Sequence, residues 1–427
     1  MGIEFLILFL QVVVVFNIAI GMSAFCTWVE RKGSALIQDR IGANRAGAFF
    51  QIENPHLARA MLGGRLLGIL LLIAALPLLV ISQGSSGFAK SLPDASILLA
   101  GAAVGFLMFA ASMVPFLIRG LGILGVINTL VCDAVKGLTK EDFIPTGVSP
   151  FLHALAPVLA ALPIFLAFAV VPLAPDFEVF GYLIRPQVAQ LNAGVLFFLA
   201  MGSMAVYGVA LAGWTSNNKF ALLGSLRASA QMISYELALG VSLVTAILMY
   251  GSLDLYDMVQ SQSQTWGALQ NPFMFIACII FFVAGMAETK RGPFDLPESE
   301  SELVAGYFTE YSGMKFLLFW MGEFTEIALF ALVLSLVFFG GWHPLPFFGS
   351  VFQELLHFPE HSWVASLIGH AILMGKVVFF CVLQIVIRWT LPRFRYDQLM
   401  DLGWKWLLEI GFINLMLLGA FKLLGFC

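Results

Sequence analysis

Long apolar runs alternate with short polar loops along almost the whole chain. Ten runs read as membrane-spanning helices: 3–28, 66–82, 95–118, 151–173, 190–213, 231–251, 272–287, 314–340, 366–390 and 404–424. The runs 66–82 and 272–287 are the shortest, and Pro77 interrupts the first. The pattern changes between 120 and 145. There Ile127, Leu130, Val131, Ala134, Val135 and Leu138 share one helical face, while Asp133, Lys136, Lys140 and Glu141 take the others. A helix patterned this way lies along a membrane surface rather than crossing it. The prediction is an all-α polytopic membrane protein: a single integral membrane domain over 1–427 with about ten transmembrane helices and one amphipathic surface helix.

Composition agrees. Of 427 residues, 60% are apolar and 11% charged, and the mean hydropathy is +0.93. Such a balance excludes a soluble domain. The five cysteines are scattered with no CxxC, so no iron–sulfur cluster, zinc site or disulfide framework is expected. His357 and His361 are four apart but flank Pro359, which favours a wet loop over a metal site. Glu4 and the lack of a basic leader make 3–28 a retained span rather than a signal peptide.

Charge orients the bundle. Of the 22 lysines and arginines, all but Lys90, Arg185, Lys422 and the intraspan Lys376 fall at or between the ends of spans that face one side. The excess of basic residues marks the cytoplasmic face, leaving both termini outside.

One cytoplasmic segment stands out. Residues 287–311 hold Glu288, Asp295, Glu298, Glu300, Glu302 and Glu310 against Lys290 and Arg291, a net charge equal to the −4 of the whole chain. Between two apolar spans such a segment must be solvated by water, protein or a partner. Pro293 and Pro297 interrupt helix, so Asp295 is expected to cap a helix starting near Leu296. Glu298 then falls at a capping-box spacing, and Glu298 and Glu302 share a face. Carboxylates that close cannot all ionise cheaply. The alternative reading is a solvated acidic loop. Glu236, Glu288, Glu323, Glu326 and Lys376 lie inside or at the ends of spans, where ionisable groups point by default to an ion or proton path.

Several stretches carry a family resemblance. Glu30-Arg-Lys-Gly-Ser-Ala-Leu-Ile-Gln-Asp-Arg-Ile-Gly-Ala-Asn-Arg45 resembles the first cytoplasmic loop of the quinone-proximal membrane subunit of respiratory complex I, the NADH:quinone oxidoreductase. Residues 133–145 resemble its surface helix, and 287–311 and 391–400 its third and fourth cytoplasmic segments. Residues 213–236 add a fifth match. The chain departs from the family pattern at Ala43 and Ala48, where proline is usual. It also carries an inserted segment, 51–127, whose two extra spans (66–82 and 95–118) raise eight family spans to ten. The Gly101–Gly105 spacing suits a closely packed hairpin, placed by this reading at the edge of the bundle.

The resemblance implies a subunit that anchors the hydrophilic arm, forms the membrane end of a quinone chamber and starts a charge relay toward pump modules. It implies ubiquinone or menaquinone as substrate, and no nucleotide, iron–sulfur cluster or metal on this chain. The implied partners are the hydrophilic-arm subunits, including the one with the terminal iron–sulfur cluster, the other membrane-arm subunits and the lipid bilayer; nothing points to nucleic acid. The implied location is the inner membrane of a bacterium. Quinone-chamber residues by resemblance are Arg31, Arg40, Arg45, Asp133, Lys136, Glu298, Glu300 and Glu302. Relay residues are Glu236, Glu288, Asp295, Glu298, Glu302 and Glu323; Arg388, Arg393 and Arg395 would dock the hydrophilic arm. No residue is expected to act as a covalent catalyst. Two rivals remain: the equivalent anchor of a membrane-bound hydrogenase or other-donor dehydrogenase, and a stand-alone secondary cation transporter. An inverted repeat would favour the transporter, and none is found.

Overall fold

The computed structural model describes residues 2–40, 125–179, 182–297, 300–344, 346 and 362–425. The chain divides into two compact units, one of residues 1–30 with 132–427 and one of 31–131. The inserted spans 66–82 and 95–118, like Arg45, Glu298 and the pair His357 and His361, lie outside the described residues.

The described chain is helical apart from one short hairpin. Helix α1 covers Gly2–Ile37, α2 Gly125–Thr139, α3 Pro150–Ala167 and α4 Gly194–Thr215. Next come α5 (Lys219–Tyr250), the short α6 (Leu255–Gln260) and α7 (Gly267–Gln270), then α8 (Pro272–Glu288). A single turn, α9 (Glu300–Leu303), precedes α10 (Gly313–Phe338), α11 (Trp363–Thr390), α12 (Tyr396–Asp401) and α13 (Leu408–Leu423). Strands β1 (Phe177–Val179) and β2 (Tyr182–Ile184) pair antiparallel, Glu178 opposite Leu183. Among the described residues, seven helices are long and apolar enough to cross a membrane, and α8 is a shorter apolar one. These match the eight spans expected outside the insertion. The α2 range matches the expected surface helix, with Val135 and Leu138 exposed on its apolar face.

Local chemistry sets the boundaries. The Asn218 side chain caps α5 by accepting the Phe220 N–H at 2.9 Å, and α5 ends on Gly251 at φ +74°. Asn271 caps α8 through the Met274 N–H at 2.9 Å, with Pro272 in the first turn. The loop after α2 is held to the start of α10 by Ser312, whose hydroxyl donates to the Glu141 carbonyl at 2.8 Å, and by a Lys315–Asp142 pair at 2.8 Å.

Helix α10 is the axis of the first unit: every residue from Gly322 to Phe338 is buried. Around it the helices approach through small residues. A Cβ on Gly208 of α4 would lie 2.6 Å from the Ala160 Cα of α3, so glycine permits this contact. The same burial encloses the acids of α10, Glu323 and Glu326, each 4% exposed.

Candidate functional site

The segment after α8 folds inward. Thr289, Lys290, Arg291 and Asp295 are all buried. Lys290 takes φ +54°, a left-handed conformation that stops the helix and turns Arg291 back into the bundle. The Gln231 side chain of α5 clamps the turn by donating to the carbonyls of Ala287 (2.7 Å) and Phe294 (2.9 Å). Phe294 stacks on Phe394, centroids 5.5 Å apart, and the Phe394 N–H donates to the Pro293 carbonyl at 3.2 Å. The turn 289–297 is therefore solvated by protein, while Glu302 further along the segment is exposed.

A line of charged groups follows. Asp295 accepts from Arg393 Nη2 at 3.0 Å. Burial pushes its carboxyl above the usual range, and the Arg393, Arg388 and Arg291 guanidiniums pull it back. Arg388 pairs with Glu30 of α1, and Glu30 also lies 3.9 Å from Arg291. Arg291 reaches Glu323 Oε2 at 3.2 Å, with its guanidinium 4.3 Å above the Phe324 ring. Tyr307 donates to the other Glu323 oxygen at 2.6 Å. Three residues on, one turn deeper along α10, Glu326 enters a cavity of about 20 Å³ whose wall also holds Glu236 and Glu288. That volume suits a single water molecule. One oxygen each of Glu288 and Glu326 has no hydrogen-bond partner. Glu236 accepts from the Ser203 hydroxyl, and a Cβ on Gly202 would lie 3.3 Å from Glu288 Oε1. Three carboxyl groups around one small polar space can share or pass protons but cannot hold three charges without a counter-ion.

The sequence pattern of the NADH dehydrogenase family matches residues 118–419, which takes in α2 and the membrane helices after α1. The chain belongs to the NADH dehydrogenase family. It is 46% identical over 289 residues to the first H subunit of the NADH-quinone oxidoreductase of Geobacter metallireducens, covering 68% of this chain and 81% of that protein. It is 42% identical over 298 residues to the H subunit of the NADH-quinone oxidoreductase of Protochlamydia amoebophila, covering 69% and 83%. The family match begins at residue 118, the end of the second span that the sequence pattern predicts as inserted, and takes in the helices from α2 onward.

Within this family member the predicted residues fare differently. Glu236 and Glu288 line one cavity together with Glu326, while Glu323 lies one turn away on α10 against Arg291 and Asp295 pairs with Arg393. Glu326, Arg291, Tyr307 and Glu30 extend the series; of these only Glu326 was picked out by its sequence as an intraspan charge on an ion or proton path, and it was left out of the residue-by-residue relay assignment. Glu326 had a signal, three residues from Glu323 in an apolar run. Tyr307 and Glu30 had none, because their partners are long-range. The expected helix from Leu296 is corrected: α9 starts at Glu300 and spans one turn. Among the described residues, Leu296 and Pro297 are not helical, and one Asp295 oxygen accepts instead from Arg393, 98 residues away. Glu302 is exposed and pairs with Arg227 at 2.8 Å. Glu300 opens α9. Arg31 and Arg40 are exposed at and beyond the end of α1; Asp133 is half-buried and Lys136 exposed on α2. Arg388 and Arg393 are engaged by acids of the chain itself, and Arg395, on the surface, pairs with Asp397. Among the described residues no group of His, Cys, Asp or Glu is placed to hold a metal.

Proposed function

We propose that the chain is the membrane-anchor subunit of a proton-translocating NADH:quinone oxidoreductase, working through its buried charges rather than through a catalyst of its own. The supporting observation is the series of buried charges that runs from the Asp295–Arg393 pair, past the Arg388–Glu30–Arg291–Glu323 pairs, to the cavity lined by Glu326, Glu288 and Glu236. Its start is a buried cytoplasmic turn and its end is the bundle interior. Electrons arrive at a quinone from an iron–sulfur cluster in a neighbouring subunit. Reduction to quinol takes up two protons, so charge changes beside the first loop (Arg31, Arg40, Arg45), α2 (Asp133, Lys136) and the acidic segment (Glu298, Glu300, Glu302).

A shift of the turn 289–297 then moves Arg291 between Glu30 and Glu323. Glu323 responds to the lost or gained guanidinium, and Glu326 follows one turn away. Glu288 and Glu236 carry the change onward across their shared cavity. The cytoplasmic surface bearing Arg395 faces the hydrophilic arm, the membrane is a bacterial inner membrane, and both termini lie outside.

Affinity purification of the intact complex from membranes tests this reading. It is expected to bring down subunits that oxidise NADH, reduce added quinone and acidify the outside of resealed vesicles. A complex that evolves hydrogen, or a chain that purifies alone and moves cations, would replace this reading with one of its rivals.

A further inference from the structure

A cavity of about 760 Å³ lies among α1, α11 and the segment carrying β1 and β2, and shares no lining residue with the carboxyl cluster. On α1 one face lines it from Ile7 to Ile18; on α11 the lining runs from Trp363 to His370; Phe177, Ile184 and Pro186 close its end. The face on α1 runs over twelve residues, a rise of about 16 Å at 1.5 Å per residue. That equals one leaflet of a hydrocarbon core, about 15 Å.

Three polar side chains line the groove, and each is turned toward the loop that closes it. Gln11 donates to the Arg185 carbonyl at 2.7 Å, and Ser366 to the Pro175 carbonyl at 2.9 Å. A ring nitrogen of His370 is 3.0 Å from the Leu173 carbonyl. These bonds fix the walls and leave an apolar lining, which suits hydrocarbon better than a polar head. At the mouth, Trp363 is 58% exposed at the first turn of α11, the position of an interfacial anchor. Arg185, between the lining residues Ile184 and Pro186, is balanced by Asp176 at 3.4 Å and by the Tyr256 ring at 4.0 Å. The charge next to the lining is thus already answered, and the site suits chains rather than a charged headgroup.

We infer that this groove is a resident phospholipid site, taking the acyl chains of a diacyl lipid from the leaflet on the N-terminal side of α1. The lipid fills the gap between α1 and α11 that the helices themselves leave, and so holds α1 against the bundle. Its headgroup sits at the level of Trp363.

The test uses the assembled complex with a photo-crosslinking phenylalanine analogue at Leu367, inside the groove, or at Phe379, exposed on the same helix. After extensive detergent washing, illumination and mass spectrometry of the chain, Leu367 is expected to retain phospholipid adducts at least tenfold above Phe379, with zwitterionic and anionic lipids alike. As a second arm, Val14→Trp fills the groove, and native mass spectrometry is expected to show one phospholipid fewer per complex. Equal loss of lipid at both positions, a protein adduct, an adduct of isoprenoid quinone mass, or an unchanged lipid count in the tryptophan variant would each overturn the proposal.

Discussion

Arg291 and Glu323 meet at 3.2 Å inside the protein, one from the turn after α8 and one from the central helix α10. Neither has solvent to fall back on. Removing one partner of a buried pair typically costs about 3–5 kcal/mol, because the other charge is left uncompensated. Arg291→Met and Glu323→Leu are each expected to reduce the yield of assembled complex severely. The double variant should recover much of that yield, since neither charge is then stranded. A double variant no better than the worse single would show that the two side chains do not act as a pair. Thermal denaturation of the purified complexes measures the coupling.

Arg393 and Asp295 connect the turn to the loop before α12, so the arginine has a task inside the chain. Reversal by Arg393→Glu places two acids where the native pair sits at 3.0 Å and is expected to destabilise the 289–297 turn. The exchange Arg393→Asp with Asp295→Arg should restore quinone reductase activity substantially. Loss of the hydrophilic arm in the exchange variant, with the pair re-formed, would instead assign Arg393 to docking. Native gels distinguish the two outcomes.

The eight apolar helices among the described residues were legible because a span declares itself by length and apolarity, and α2 because its two faces differ. Glu236, Glu288 and Glu323 were legible because an acid in an apolar run is costly unless used. The helix start near Leu296 was misplaced for a physical reason. Capping is a local rule, and a buried Asp295 facing the Arg393 guanidinium has a stronger partner than a backbone N–H. Arg291 and Tyr307 could not be assigned for the same reason: their partner Glu323 is 32 and 16 residues away, and chain pattern carries no such contact.

Gly208 tests the packing that encloses the carboxyl cluster. The added Cβ of Gly208→Ala would meet Ala160 backbone, 2.6 Å from its Cα, so no side chain can yield. Overpacking of this kind costs about 1–3 kcal/mol. The variant is expected to unfold at lower temperature than Gly240→Ala, where a Cβ meets nothing within 4 Å. Equal melting temperatures would mean that α3 and α4 can part freely.

His343, in the loop after α10, carries a pH dependence of stability. Burial, and then the ammonium of Lys376, pulls its pKa from 6.5 down to about 4. The folded chain keeps this ring neutral while the unfolded chain protonates it. Its contribution is therefore present above pH 6.5 and is lost as pH falls from there toward 4. His343→Gln removes the titration, so the drop in melting temperature between pH 7 and pH 5 should shrink. An unchanged drop would place the acid sensitivity in other groups.

If the carboxyl cluster carries the consequence of quinone reduction into the membrane, its proton chemistry must be indispensable. Proton translocation by the assembled Glu288→Gln complex in sealed proteoliposomes reads this out. Glutamine keeps the shape of Glu288 and removes its titration. NADH should still reduce the iron–sulfur clusters at the wild-type rate, while quinone-driven proton translocation falls at least tenfold. Wild-type translocation in a fully assembled Glu288→Gln complex would show that the cluster is no part of the relay.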